Sequence, residues 1–551
     1  MVDQISQISP KRRLGKPDFW SASALAIAAL VLLPILSVVW IALHPAENIW
    51  PHLMATTLPR YFGNSVMLMV GTGVLSALVG TGAAWLVVMY DFPFRRVLQW
   101  ALLLPLAIPA YIGAYALVDF LEYAGPVQTG LRAMFGWTSA RDYAFPEIRS
   151  RPSAIIVLTL ALYPYVYLLA RAAFREQSTG ALEVSRALGC GPWGSFFRVG
   201  LPLARPAIAA GMAIVMMETI NDFGTVEFFA VQTLTTGIFS VWLEGSNAGG
   251  AAQIAVVILG LVLVLVALEK TNRRKIRFFR TTGQQLPIEP KKITGLPALL
   301  ALILCLLPFL FGFILPATVI GFHAADNPAF WAQSALLSAL WNTIWVAGLA
   351  AVLTVCGGLL LVYGVRLSGR RLPRLILPLT TIGYAAPGAV LGIGLLIPLA
   401  KFDQRVADFI ENTTGFDPGL LLTGSAFAIV LAYFVRFFAI AQGAADAALG
   451  RISPSLSMAA RSLGQTAGGT LKRVHIPMIR GSIATALLLV FVDGVKELPA
   501  TLLLRPFNFN TLATQVYDQA SLENLGAAAP AAIIVMAVGL AAVLLLARTA
   551  R

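Results

Sequence analysis

Charge is scarce in this sequence. Only 12% of its 551 residues are Asp, Glu, Lys or Arg, while 58% are hydrophobic. A water-solvated globule of this length needs far more charge to cover its surface, so the composition makes a lipid bilayer the solvent. Cysteine is nearly absent as well. Cys190, Cys305 and Cys356 are scattered, with neither a paired framework nor metal-ligand spacing. The four histidines, His44, His52, His323 and His475, are equally dispersed, which argues against a metal site built from His or Cys alone. No G-x-x-x-x-G-K-S/T run occurs, so there is no P-loop to cradle nucleotide phosphates. Nucleophile-elbow and zincin motifs are missing too. The chain reads as something other than an enzyme.

Long apolar runs are what the sequence has instead. Crossing roughly 30 Å of hydrocarbon takes about 20 residues. Runs of that kind fall at 20–43, 64–90, 97–121, 153–176, 204–228 and 252–270, and again at 296–322, 336–364, 374–400, 420–446, 479–503 and 529–547. They predict an all-α polytopic membrane protein with about twelve transmembrane helices. Lys11, Arg12, Arg13 and Lys16 precede the first run, which is too long for a signal-peptide core and lacks a small-residue cleavage site, so it reads as a retained span. The basic residues cluster on one face: the N-terminus, Arg95–Arg96, the 183–202 loop, Lys270 to Lys292, Arg366 to Arg374, the 458–477 loop and Arg548. That face carries about thirty basic residues against about nine on the other, and the positive-inside asymmetry places both termini in the cytoplasm. Phe229 to Ala251, on the far side, has no Lys or Arg. The net charge of +14 is therefore a matter of topology and not the footprint of a nucleic acid.

The chain also repeats. Residues 183–202 read EVSRALGCGPWGSFFRVGLP and residues 458–477 read MAARSLGQTAGGTLKRVHIP. Gly189 matches Gly464, Arg198 matches Arg473, Val199 matches Val474 and Pro202 matches Pro477, all at an offset of 275 residues. Asn64-Ser65 and Asn342-Thr343 open equivalent spans, and Arg95-Arg96 and Arg370-Arg371 occupy equivalent turns. Six spans per half make the repeats parallel, with a pseudo-two-fold axis along the membrane normal. The expected division is a first repeat over 1–270, a basic linker over 271–292 and a second repeat over 293–551.

Glycine and proline punctuate each repeated loop. The pattern predicts a short helix over Ala181 to Leu188, a break at Gly189 and a second short piece over Trp193 to Val199 ending at Leu201-Pro202. In the second copy, Ser455 to Leu463 is the helix, Gly464 the break, and Gly468-Gly469 loosens the turn. Ordinary interfacial connectors drift in length and sequence, whereas these two share one register on one side.

The spacing of Glu183, Gly189, Leu201 and Pro202 resembles the loop signature of ABC-importer membrane subunits. Asp493 to Thr514 and Asn221 to Phe229 resemble the fused, two-half permeases of the ferric-iron importer type, and this likeness covers all twelve spans. It implies the type I importer permease fold in a bacterial cytoplasmic (inner) membrane. It also implies coupling helices at Glu183, Ala187, Gly189, Leu201 and Pro202 and at Ala459, Ala460, Gly464, Ile476 and Pro477. These would dock on a cytoplasmic ATPase dimer that carries the ATP and Mg, this chain binding no cofactor itself. An extracytoplasmic binding protein would deliver the substrate. The first loop has Val184-Ser185 where the signature has two alanines, and Met458 replaces the acidic residue in the second, so the two sockets are expected to grip identical ATPase subunits unequally. Fe(III) leads among substrates. Related permeases carry thiamine, sulfate, molybdate or polyamines.

Charge inside a span is expensive and marks a functional candidate. Glu218 matches Asp493 and Asp222 matches Glu497 at the same offset, and Glu227 lies just beyond. A spacing of four puts both carboxylates on one helix face, and oxygen ligands suit a hard cation such as Fe(III) in transient contact. Local pairing of Asp493 with Lys496, or capping of a break at Glu497-Leu498-Pro499, is the competing reading. Tyr111, Tyr115, Tyr163, Tyr165 and Tyr167 read as packing or interfacial aromatics. The mixed-charge outer loops Glu122 to Arg151 and Lys401 to Asp417 are the candidate docking rim. An ion-coupled secondary transporter would share the parallel repeats but has no need of matched elbows, and a channel would need a filter segment that is not seen.

Overall fold

The computed structural model describes residues 19–177, 184, 185, 187–274, 289–368, 371–381, 383 and 386–549. Ten helices among them are long and apolar enough to span a membrane, and a bent pair raises the number to eleven. We label the principal helices α1 (Phe19–Leu43), α2 (Leu58–Met89), α3 (Ala110–Leu121), α4 (Arg151–Arg175), α5 (Pro192–Asn221), α6 (Ala248–Arg274), α7 (Leu296–Asp326), α8 (Ser334–Ser368), α9 (Gly388–Thr414), α10 (Phe427–Gly450), α11 (Ala467–Lys496) and α12 (Leu525–Thr549).

Two of the expected spans are interrupted. The 97–121 run is a helix from Arg95 to Ala107 that bends by 95° before α3. Pro105 and Pro109 supply no backbone N–H there, and Pro109 caps α3 in extended conformation. The 374–400 run is a short helix, Arg371–Ile376, followed by turns over 377–381, while α9 starts only after Pro387 and runs on to Thr414. Much of the outer loop expected at Lys401 to Asp417 is thus helical. The buried carboxylate of Asp403 ties that helix down, accepting from the backbone N–H groups of Leu421 (3.0 Å), Leu422 (2.8 Å) and Thr423 (2.9 Å).

The 204–228 and 479–503 runs shift rather than break. Their helices start early, at Pro192 and Ala467, and stop at Asn221 and Lys496. The chain was expected to turn at Leu201-Pro202, yet this helix and its counterpart through Ile476-Pro477 both run through. In each the proline follows a π-helical turn, Phe196–Gly200 or Leu471–His475, and a third such turn, Leu310–Ile314, precedes Pro316. A proline removes one helix donor and crowds the carbonyl four residues back, and a wider turn lets the helix continue past it. Gly468-Gly469 likewise sits in a helical first turn, with Thr466 Oγ1 accepting from the Gly469 N–H at 3.1 Å.

The two halves are built alike. α2, α4 and α5 pack together in the first, as α8, α10 and α11 do in the second. Gly80 lets α4 approach so closely that a Cβ there would lie 2.8 Å from the Tyr167 backbone nitrogen, and Gly358 does the same for α10 at Gln442 (3.0 Å). The repeated Asn-Ser/Thr pairs explain themselves. Asn64 Nδ2 donates to the Gln232 carbonyl (2.8 Å) and Ser65 Oγ accepts from the Leu234 N–H (2.9 Å); Asn342 and Thr343 do the same to Asn510 (3.0 Å) and Leu512 (2.8 Å). Each pair thus pins a helix start that a Thr-x-x-Thr capping box closes, Thr233–Thr236 or Thr511–Thr514.

The first helix of each half crosses over. α1 packs on α8 and α9 of the second half, and α7 packs on α3 of the first. α6 meets α9, while α12 meets the break at Leu104–Ala107. Rows of leucine on α1 and α7, such as Leu33, Leu36, Leu299 and Leu304, face outward as a lipid-bathed surface requires. Lys291–Lys292 (β2) pairs in parallel with Tyr90–Asp91 (β1), two residues each and the one strand pairing among the described residues.

Candidate functional site

Two features stand out: the pair of loops at one end of the bundle and a polar cavity where the halves meet. Glu183 lies outside the described residues. Ala187 is exposed, as is Ala459, and Ala460 is buried. Gly189 and Gly464 have φ of +81° and +79°, a left-handed conformation that costs an L side chain about 1–2 kcal/mol. Each glycine closes the same helix-ending motif. The next N–H reaches back five residues, Cys190 to the Ser185 carbonyl and Gln465 to the Ala460 carbonyl, both at 3.0 Å. Leu201-Pro202 and Ile476-Pro477 follow in the continuous helices described above. The sequence reading missed Leu188 and Leu463. They share the 275-residue offset and are 79% and 80% exposed, matched apolar knobs that suit a partner surface. Their register next to the glycines was the available signal.

The cavity, about 190 Å³, is lined by Glu218, Asp222, Asp493, Lys496 and Glu497, so the acidic positions of both halves do meet. They do not meet as one helix face from each half. α5 ends before Asp222 and α11 before Glu497, both in extended conformation. Asp222 caps the next short helix, Gly224–Phe228, accepting from the Thr225 N–H (3.0 Å), the Val226 N–H (3.2 Å) and Thr225 Oγ1 (3.0 Å). Glu497 Oε1 accepts from the Ala500 N–H (3.0 Å) and its Oε2 pairs with Arg436 Nε (3.0 Å). Capping is thus the first duty of both. Asp493 and Lys496 form no direct ion pair. Lys496 Nζ instead donates to the Leu106 carbonyl at the α3 break, 2.8 Å away and across the repeat. Arg436 was not anticipated. Its counterpart at the 275 offset is Ala161, which also lines the cavity, so only one half supplies the guanidinium.

Glu227 faces a second cavity of about 570 Å³ together with Glu244, Arg505 and Tyr517. That cavity lies toward Gln232, at the end of the bundle away from the loops. Phe223 lines both cavities, stacked on Phe239 at 3.9 Å between ring centres, and so forms the partition. Among the candidate tyrosines, Tyr111, Tyr115, Tyr163 and Tyr167 are buried, and Tyr111 and Tyr165 also border the first cavity. Among the described residues, no three His, Cys, Asp or Glu side chains converge as a metal site. On the rim, Arg149 binds Glu122 (2.9 Å) and Glu523 of the other half (2.8 Å), while the exposed Arg141 and Glu147 make no ion pair among the described residues.

Paired elbows at one end of the bundle, two halves built alike and a polar chamber between them fit a two-half membrane permease. The chain belongs to the family of binding-protein-dependent transport system inner membrane components, whose description matches it twice, over residues 73–278 and 355–551. It is a multi-pass inner-membrane transport subunit and not an enzyme. It is 26% identical over 527 residues to a Haemophilus influenzae Fe(3+)-transport system permease protein, covering 95% of this chain and 96% of that one. A ferric transport system permease protein of Actinobacillus pleuropneumoniae is 23% identical over 81% of this chain and 64% of its own length. The Escherichia coli molybdenum transport system permease protein is 25% identical, over 33% of this chain and 78% of its own. Among solved structures, a bacterial alginate ABC transporter in complex with an alginate-bound periplasmic protein aligns at TM-score 0.38 and 18% identity, covering 46% of this chain and 91% of that one.

Proposed function

We propose that this chain, divided as 1–270, 271–292 and 293–551, is the translocation subunit of an ATP-driven importer of Fe(III). Both termini face the cytoplasm, a separate ATPase dimer grips the elbows at Leu188 and Leu463, and a binding protein docks at the rim near Arg141 and Glu147. The observation that carries the substrate is the similarity to a Fe(3+) permease along nearly the whole of both chains, where the molybdenum relative matches a third of this one. The route runs from the outer cavity at Glu227 and Glu244, past Phe223, to the chamber of Glu218 and Asp493. Carboxylate oxygens are hard donors suited to a hard cation, and binding that stays weak lets the ion leave. ATP closes the elbows and the loaded binding protein opens the rim. Both bias one inward–outward equilibrium through their different affinities for its two states.

Asp222 and Glu497 hold backbone, so their substitution mixes folding with transport. Glu218→Gln and Asp493→Asn change the two carboxylates that lie within α5 and α11. Each is expected to lower radioactive-iron uptake about tenfold, as loss of a retained intramembrane charge should, with ATPase stimulation by the binding protein intact. Wild-type uptake in the pair of variants would remove the acidic route. A second reading, an oxyanion substrate, is favoured by Arg436 and Lys496 in the same chamber. Competition of iron uptake by molybdate or sulfate would select it.

A further inference from the structure

The two elbows are not finished alike behind their matched glycines. In the first, Trp85 from the end of α2 fills the joint. Its ring lies 5.2 Å from Phe174 and 5.0 Å from Phe196, and a Cβ on Gly200 would fall 2.4 Å from it. In the second, Tyr363 packs edge-on at 5.4 Å against His475, which stands where the first copy has Gly200, and Tyr363 Oη donates to the Ala467 carbonyl at 2.8 Å. A cavity of about 360 Å³ lies between the elbow helix, Pro454–Ser462, and the ends of α8 and α10.

The lining of that cavity is basic. Arg366, Arg461, His475, Ser457 and Thr470 face it, and no Asp or Glu does among the described residues. Arg366 spends one nitrogen on Asp446 (2.8 Å), while Arg461 makes no ion pair among the described residues. His475, 6% exposed, holds Ser457 Oγ at 2.9 Å through Nε2, and its Nδ1 is buried with no partner. Met458, which also lines the cavity, occupies the position of Glu183 in the first copy. The second joint therefore has the cations and hydroxyls of an anion site, with Asp446 meeting one nitrogen of Arg366 and no carboxylate meeting Arg461 among the described residues. Two arginines and a hydroxyl converging on one cavity suit a tetrahedral oxyanion.

We propose that the second coupling joint binds a phosphate-bearing anion, either free phosphate or the headgroup of an anionic lipid, in the place an acidic residue at 458 would take. Binding of the anion does not depend on which substrate the permease carries or on what the elbow docks against.

The test uses the full chain purified in a phosphate-free maltoside detergent. Equilibrium dialysis with radioactive inorganic phosphate reads the free-anion source. Native mass spectrometry after nanodisc assembly with and without phosphatidylglycerol reads the lipid source. The wild type and the neutral control Met458→Gln are expected to hold one anion per chain from at least one source. Met458→Glu, which supplies the carboxylate internally, and Arg461→Gln are expected to weaken that binding about tenfold or more, in line with loss of a charge-assisted contact. Phosphate bound in detergent assigns the free ion; retained phosphatidylglycerol alone assigns the headgroup. No bound anion from either source, or binding by Met458→Glu and Arg461→Gln equal to the wild type, overturns the proposal.

Discussion

Arg436→Met lowers the thermal midpoint of the purified permease more than any other single change at the chamber. Arg436 and Glu497 are an ion pair with side chains only 13% and 4% exposed. Removing one partner leaves a buried charge uncompensated, which costs about 3–5 kcal/mol. The neighbourhood gives it no room to relax. A Cβ on Gly388 would lie 2.5 Å from Glu497 Oε1 and 2.7 Å from Arg436 Nη1, so the start of α9 presses directly on the pair and joins it to α10 and α11. The double variant Arg436→Met/Glu497→Gln should recover most of the loss. It removes both charges, while the amide oxygen still accepts from the Ala500 N–H. A single variant as stable as the wild type, or a double variant no better than the single, would contradict the pair's role as a strut between α9, α10 and α11. The measurement is the melting midpoint of the three proteins in one detergent.

Gly464→Pro is expected to leave a folded, inserted permease that no longer transports. Proline holds φ near −65°, whereas Gly464 sits at +79° and donates its N–H to the Arg461 carbonyl at 3.0 Å. The substitution therefore destroys the turn that presents Leu463 without touching α11. Uptake should fall more than about tenfold while ATP hydrolysis persists uncoupled, since the gating element and not the chemistry is lost. Gly464→Ala should be mild, at about 1–2 kcal/mol of local strain. Gly189→Pro should act in the same way from the other half. Wild-type uptake by both proline variants would count against coupling through the elbows.

Much of this was legible in the sequence, for identifiable reasons. A bilayer forces apolar runs into helices, so among the described residues ten of the expected spans are helices long and apolar enough to cross and an eleventh is a bent pair. Repetition exposed the elbows because Gly189 and Gly464 are the residues that a left-handed helix end demands. The interruptions were harder to read. Hydropathy cannot separate a straight helix from one bent at Pro105 and Pro109, since both bury the same apolar surface. Proline was read as an end at Pro202, where a π turn absorbs it, as another does ahead of Pro477. The acidic positions were found by their offset and their intramembrane cost, but a spacing of four implies one face only while the helix lasts. Asp222 and Glu497 stand one residue beyond it. Arg436 and Lys496 belong to the chamber through tertiary contacts with α9 and with the Leu106 carbonyl, which no local pattern encodes. Phe223 was passed over because a phenylalanine in an apolar run carries no signal of its own; only its place between two cavities marks it.

Transport through this permease is proposed to depend on coupling its two elbows to an external ATPase. The most direct measurement is radioactive-iron uptake into proteoliposomes holding the full chain, with the cognate ATPase, ATP and iron-loaded binding protein each supplied or withheld. Uptake is expected only when all three are present, and none from a proton or sodium gradient alone. Uptake driven by an ion gradient without the ATPase would contradict that dependence.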